Sequence, residues 1–197
     1  MSSYYDAEAP AYDESRGGTA RARAAADGVL ELVQAEGICL DLAGGTGSVS
    51  AELAERGLSV LVADLSFGML TVAAGRLPGR VLLASADRLP VPDESVDLVT
   101  MIWLLHLLPV EVADQVIAEA SRVIRPGGHL VTTVDKDLAH GRRRRTDADH
   151  RDRVELVAGR QGLSLVGATS FTGPSKWSSS TDGDPVFSLV CFRKPPV

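Results

Sequence analysis

Two cysteines in 197 residues are too few for a disulfide framework, and neither stands at a metal-ligand spacing from other thiols or histidines. Cys39 and Cys191 both fall inside expected strands and read as buried, reduced thiols of a cytoplasmic protein; no metal site is expected. Long apolar runs are also missing. The longest candidate, Leu98 to Val112, is short of the roughly 18 residues that cross a bilayer and contains His106 and Glu111. The first residues are polar and acidic, without the basic and apolar regions of a signal peptide, so neither secretion nor a membrane partner is expected. Positive charge is scarce. With 26 acids against 20 Lys and Arg, the net charge of −6 excludes broad binding to nucleic acid or an anionic membrane. Aromatic residues make up only 5% of the chain, and all three tyrosines lie within the first twelve residues.

What is present centres on Cys39 to Ser50. Apolar Ile38, Leu40 and Leu42 lead into Gly44, Gly45 and Gly47, and Ser48 is read as the cap of a helix that stops at Gly57. Strand, glycine loop and helix start build a nucleotide-binding turn, because a ligand can approach backbone that carries no Cβ. Asp41 at the strand end gives the turn its direction. A carboxylate there repels the pyrophosphate of a dinucleotide but attracts the ammonium and sulfonium of S-adenosylmethionine. The dinucleotide fingerprint also fails on spacing, since Ser50 stands where it has Gly or Ala.

Size and composition fit a single soluble domain, residues 19–197, preceded by an arm or lid at 1–18 that shows no clear period. A helix capped by Thr19 carries Ala22, Ala25, Ala26, Val29 and Val33 on one face, which suits close packing. Strands are then expected at 38–43, 58–63, 80–84, 96–102, 129–134, 163–170 and 186–192, and helices at 48–56, 67–76, 109–124 and 147–160. The early strands are apolar nearly throughout, as in a parallel sheet covered on both faces, so the fold class is α/β, doubly wound and Rossmann-like. The last two strands are joined by Thr172 to Pro185 without a helix, so that pair should be antiparallel.

Ligands of such sheets bind outside the carboxyl ends of the strands. Strand one ends at Asp41, strand two at Asp64, strand three at Ala86-Asp87, strand four at Trp103 with His106 nearby, and strand five at Asp135-Lys136. A lone Asp in such a place is most often a cap or turn residue. Three acids at successive strand ends, 23 residues apart each time, favour a joint role: Asp64 for the ribose hydroxyls and Asp87 for the adenine amine.

These residues give the chain its resemblance to the class I S-adenosylmethionine-dependent methyltransferases, close to the small-molecule group that includes the ubiquinone-biosynthesis type. The resemblance implies a cofactor site at Asp41, Ala43, Gly45 and Gly47, then Asp64 with Ser66 and Met69, then Ala86, Asp87 and Trp103. Arg125-Pro126-Gly127-Gly128 matches the family's turn before strand five. The family's seven-stranded order, 3-2-1-4-5-7-6 with strand seven antiparallel, agrees with the helix-free last connection and holds Cys39 and Cys191 two strands apart. Ala43 departs from the pattern by replacing the first glycine. It is expected to keep a negative φ, with Gly44 absorbing the turn.

The implied reaction moves a methyl group to an O, N or C atom of a small molecule, in biosynthesis such as secondary metabolism. His106 and His140 are the candidate bases. Tyr4, Tyr5 and Tyr12 of the arm, Asp135 and Trp177 are expected to roof a substrate site that is fairly open without ligand. The basic run Arg142 to Arg145 reads first as solvated surface, and otherwise as a contact for an anionic or carrier-tethered substrate. A monomer or homodimer is expected. The alternatives are a methyltransferase for protein or RNA, and a cofactor-binding protein that does not methylate.

Overall fold

The computed structural model describes residues 2–34, 36–174 and 183–196. Seven strands form one sheet: β1 (Ile38–Leu42), β2 (Ser59–Asp64), β3 (Val81–Leu83), β4 (Val96–Met101), β5 (Ile124–Val134), β6 (Ser164–Thr172) and β7 (Val186–Arg193). Their order is β3-β2-β1-β4-β5-β7-β6, as the resemblance implied. β1 to β5 pair in parallel, and β7 is antiparallel to both β5 and β6. The helix-free connection into β7 thus has its expected consequence.

Because successive strand residues point to opposite faces, the apolar runs feed two cores. On one face Leu40, Leu42, Val99 and Met101 pack under α6 (Val110–Val123) and α8 (Arg151–Arg160). On the other, Cys39, Val60, Leu98 and Val131 pack under α3 (Gly18–Leu32) and α4 (Ser48–Glu55). Val62 on that face meets α5 (Phe67–Arg76). The alanine face of α3 allows the close approach expected of it: at Gly28 an added Cβ would stand 2.9 Å from Leu189 Cδ1. Both thiols are buried and free.

Several local expectations need correction. The arm has regular structure: α1 (Ser2–Glu8), a 3-10 turn (Ala9–Ala11) and α2 (Tyr12–Ser15). Its contacts to the domain lie on residues far along the chain, so no local period announces it. Thr19 and Ser48 are not caps. Gly17 and Gly47, both left-handed, precede the helices instead, without a side-chain cap bond. Arg125 to Gly128 form an irregularity inside β5, where the register against β4 shifts, rather than a turn ahead of it. The loop after β5 holds a short helix, α7 (Lys136–Ala139).

Candidate active site

The carboxyl ends of β1, β2, β3 and β4 open into one cleft. At its centre the chain leaves β1 through Ala43 with φ +54, a left-handed conformation rather than the negative φ under which an alanine is easily tolerated there. Gly44 has no positive φ; its value is space. A Cβ there would stand 2.7 Å from Asp41 Oδ2 and 2.9 Å from Val62 Cγ1. Turn and clearance are therefore divided between the two residues in the reverse of the expected way. Gly47, with φ +70, lets α4 begin against Ala73 of α5 but does not line the cleft.

Asp41 is buried, with one carboxylate oxygen accepting from Thr100 Oγ1 at 2.7 Å and the other from Ser50 Oγ at 2.5 Å. Burial raises its pKa to about 6, despite those two bonds. Asp64 Oδ2 accepts from the Gly45 N–H at 2.9 Å, and Oδ1 from the Ser66 N–H at 2.8 Å. Burial raises its pKa too. Ser66 caps α5 by accepting from the Met69 N–H. Asp87 takes a bond from the Ser85 hydroxyl. Asp41, Ala43, Gly45, Asp64, Ser66, Met69, Ala86, Asp87 and Trp103 all line this cleft. Leu104, Leu107, Leu108, Val112 and Val116 add an apolar wall that the sequence reading had not singled out.

The arm closes over the opening. Tyr5 and Tyr12 line the cleft, whereas Tyr4 is exposed and meets Tyr5 edge-on at 5.3 Å. Two acids hold the arm down. Asp6 accepts from Ser66 Oγ at 2.5 Å and the Gly68 N–H at 2.9 Å. Asp13 accepts from Thr46 Oγ1 at 2.6 Å and pairs with Arg76 at 2.5 Å. The expected open site is thus covered by a fastened arm.

A small recess adjoins the cleft and shares Tyr12, Ser48 and Trp103 with it; Arg16 and Arg21 complete its polar lining together with Asp13. Arg21 is 8% exposed, stacks over the Trp103 ring at 3.8 Å and donates to Arg16 O. Among the described residues, Arg16 Nε, Arg21 Nε and Trp103 Nε1 are buried donors without an acceptor. The only acid lining the recess, Asp13, is taken by Thr46 and Arg76. Sequence reading missed both arginines, since one sits in the arm and the other on a helix face that looked purely apolar.

The remaining expected site residues stand elsewhere. His106 is buried, with Nε2 2.7 Å from Lys136 Nζ, and does not line the cleft. His140 packs against Phe187 at 5.5 Å, and burial with nearby Lys136 lowers its pKa to about 4. Asp135, at φ +52, accepts from Arg144 at 2.9 Å. Arg145 pairs with Asp137, so the basic run is fastened partly to its own loop. Trp177 lies outside the described residues. Trp103, at φ +60, lines the cleft and packs edge-on against Phe171 and Phe187.

Comparison with known proteins points one way. Residues 40–132 match the family described as a methyltransferase domain. The demethylmenaquinone methyltransferase of Beutenbergia cavernae is 44% identical over 93 residues, 47% of this chain and 38% of that protein. The chain spans between 37% and 56% of the length of such curated relatives. In fold it resembles an S-adenosylmethionine-dependent methyltransferase of Thermotoga maritima described as a possible histamine N-methyltransferase. That similarity has a TM-score of 0.72 and 17% identity, over 98% of this chain and 100% of that one. The [4+2]-cyclase SpnF is similar at a TM-score of 0.74 and 19% identity, over 100% of this chain and 96% of that one.

Proposed function

From the match of residues 40–132 to a methyltransferase domain and the likeness to methyltransferases in sequence and fold, we propose that the chain is a class I S-adenosylmethionine-dependent methyltransferase and that it methylates a small hydroxyaromatic or quinol-like molecule in a biosynthetic pathway. The observation that carries the reading is the order of charge along the cleft. Carboxylates line its middle and far end at Asp41, Asp64 and Asp87, and the adjoining recess is lined by Arg16, Arg21 and Trp103, each of which has a buried N–H without an acceptor. S-Adenosylmethionine has the matching order: a carboxylate at its methionine end, an ammonium and a sulfonium beside it, then ribose and adenine. Arg16, Arg21 and Trp103 would take the carboxylate, and Asp41 with the glycine loop the cationic part. Asp64 lines the cleft where it would meet the ribose hydroxyls, and Asp87 would meet the adenine amine. A dinucleotide would instead set phosphates against Asp41.

S-Adenosylmethionine, when bound, supplies a methyl group activated on a sulfonium. The chain's own work is then alignment and exclusion of water. The glycine loop and Asp64 fix one partner, and the arm, held by Asp6 and Asp13, covers both. Leu104, Leu107, Leu108 and Val112 offer an apolar wall to the acceptor, which suits an aromatic ring better than a peptide or a nucleic acid. The quinone-type names of several curated relatives agree with such an acceptor.

Calorimetric titration with S-adenosylmethionine and S-adenosylhomocysteine tests the reading, on wild type, Asp64→Ala and Arg21→Met. Binding weakened in both variants is expected, and no binding by wild type would sink the proposal. A second reading, cofactor binding without methyl transfer, draws on the likeness in fold to a cyclase. Formation of S-adenosylhomocysteine with a hydroxyaromatic acceptor would decide against it.

A further inference from the structure

The arm carries one pair of residue types twice, Tyr5-Asp6 in α1 and Tyr12-Asp13 in α2. Each acid is tied to one of the loops that build the cleft. Asp6 accepts from Ser66 Oγ and the Gly68 N–H at the start of α5, and Asp13 accepts from Thr46 Oγ1 in the glycine loop. At the first tie backbone meets backbone: a Cβ on Gly68 would stand 2.8 Å from Asp6 Cα. Each tyrosine, next to its fastened acid, lines the cleft together with Asp41 and Asp64. The two rings meet at 6.3 Å with their planes 64° apart.

Their place along the cleft is fixed from both ends. Tyr12 also lines the recess with Arg16 and Arg21, whereas Tyr5 lines the cleft alone. Both phenols feel Arg16 on the recess side and Asp64 on the β2 side. The two rings therefore lie between the groups assigned to the carboxylate and the acid assigned to the ribose, where the cationic part of the cofactor falls. Burial raises both phenol pKa values, so both rings stay neutral near pH 7. The face of a neutral aromatic ring attracts a cation, more strongly where water is excluded. Tyr12 already has the Arg16 guanidinium over its ring at 5.2 Å, and among the described residues no cation stands over the Tyr5 ring.

We propose that the Tyr5 ring recognises the positive charge of S-adenosylmethionine, so that the arm closes more firmly over the cofactor than over its demethylated product. This rests on the methyltransferase reading above and adds to it a residue that discriminates reactant from product. In methyl transfer the methyl carbon bonds to the acceptor, and the electron pair of the broken C–S bond stays on sulfur. The charge is then gone from the product, and the contact with Tyr5 weakens while the ties of Asp6 and Asp13 stay as they were. An interaction with the charged reactant does not lower the transfer barrier. It acts on cofactor loading and product release.

Calorimetry tests this with three ligands: S-adenosylmethionine, sinefungin, which has an ammonium-bearing carbon in place of the methylated sulfur, and S-adenosylhomocysteine. Wild type is compared with Tyr5→Leu and Tyr5→Phe. Tyr5→Leu should weaken the two cationic ligands about tenfold and S-adenosylhomocysteine less than about twofold. Tyr5→Phe, which keeps the ring, should stay within about twofold of wild type for all three. Equal losses for the three ligands in Tyr5→Leu, or a Tyr5→Phe as weak as Tyr5→Leu, overturns the proposal. Limited proteolysis of wild type gives a measurement without substitution. At saturation, trypsin should cut after Arg16 several times more slowly with sinefungin than with S-adenosylhomocysteine, and equal rates overturn the proposal. The two readings fail separately: a protein that binds all three ligands without this dependence on charge loses only the role of Tyr5. Absence of binding by wild type overturns both.

Discussion

Asp64 at the end of β2 accepts a hydrogen bond from the backbone N–H of Gly45, 2.9 Å away in the loop that follows β1. One carboxylate thus holds the glycine loop in shape and also faces the cleft in which the ribose is proposed to lie.

Asp64→Ala should therefore do two things that a contact residue alone would not. It should cost about 1 kcal/mol of stability through the unpaired Gly45 and Ser66 N–H groups, and weaken S-adenosylmethionine binding by more than about tenfold. Asp64→Asn, which keeps one acceptor oxygen, should recover part of the stability and less of the affinity. Thermal melts beside calorimetry would separate these effects.

Ala43 and Gly44 make a paired prediction with opposite signs. Ala43→Gly relieves a left-handed alanine at φ +54 and should stabilise by about 0.5–1 kcal/mol, a rise of roughly 2 °C in Tm. Gly44→Ala drives a methyl against Asp41 and Val62 and should destabilise by about 1–3 kcal/mol. Equal and small shifts in both melts would count against this account of the loop.

Asp41 should make cofactor affinity depend on pH. Its folded pKa is raised to about 6 by burial, so in the free protein it is charged only above that value. A raised carboxylate favours the folded state at low pH and disfavours it as pH rises from its unfolded value toward 6. A cation bound beside it reverses that preference, so affinity for S-adenosylmethionine should fall about tenfold from pH 7 to pH 5. Titrations at the two values would show the drop, and Asp41→Asn should be weaker at pH 7 with the pH dependence gone.

The arm should open when its acids are removed. Asp13→Ala loses Thr46 and Arg76 together, and Asp6→Ala loses Ser66 and Gly68. The double variant should be cleaved by trypsin after Arg16 several times faster than wild type, and should release S-adenosylhomocysteine faster. Unchanged cleavage and release, or a deletion of residues 1–16 that leaves cofactor affinity intact, would show that the arm is not a lid.

Much of this was legible in one dimension. Continuous apolar strands, the glycine cluster after Ile38–Leu42, and acids at three successive strand ends are local patterns with local physical causes. They sufficed for the fold class, the antiparallel last pair and most of the cleft lining, while the sheet order came with the family resemblance they carry. Ala43 was misjudged because a backbone dihedral is set by where β1 must hand the chain to α4, and no residue letter records that.

What only the tertiary structure decided is which unlike groups lack partners. Arg16, Arg21 and Trp103 come from three separate segments, and Lys136 meets His106 across 30 positions. A donor without an acceptor is a property of the folded surroundings, since in sequence every acid is an available partner for every base. Asp13, Asp135 and Asp137 are spent on Arg76, Arg144 and Arg145. Among the described residues, those pairings leave Arg21 and Lys136 without a counter-ion. The sequence determined the fold through periodicity and the acidic lining of the cleft through the residues at its strand ends. The packing of distant segments determined which of those groups are left without partners.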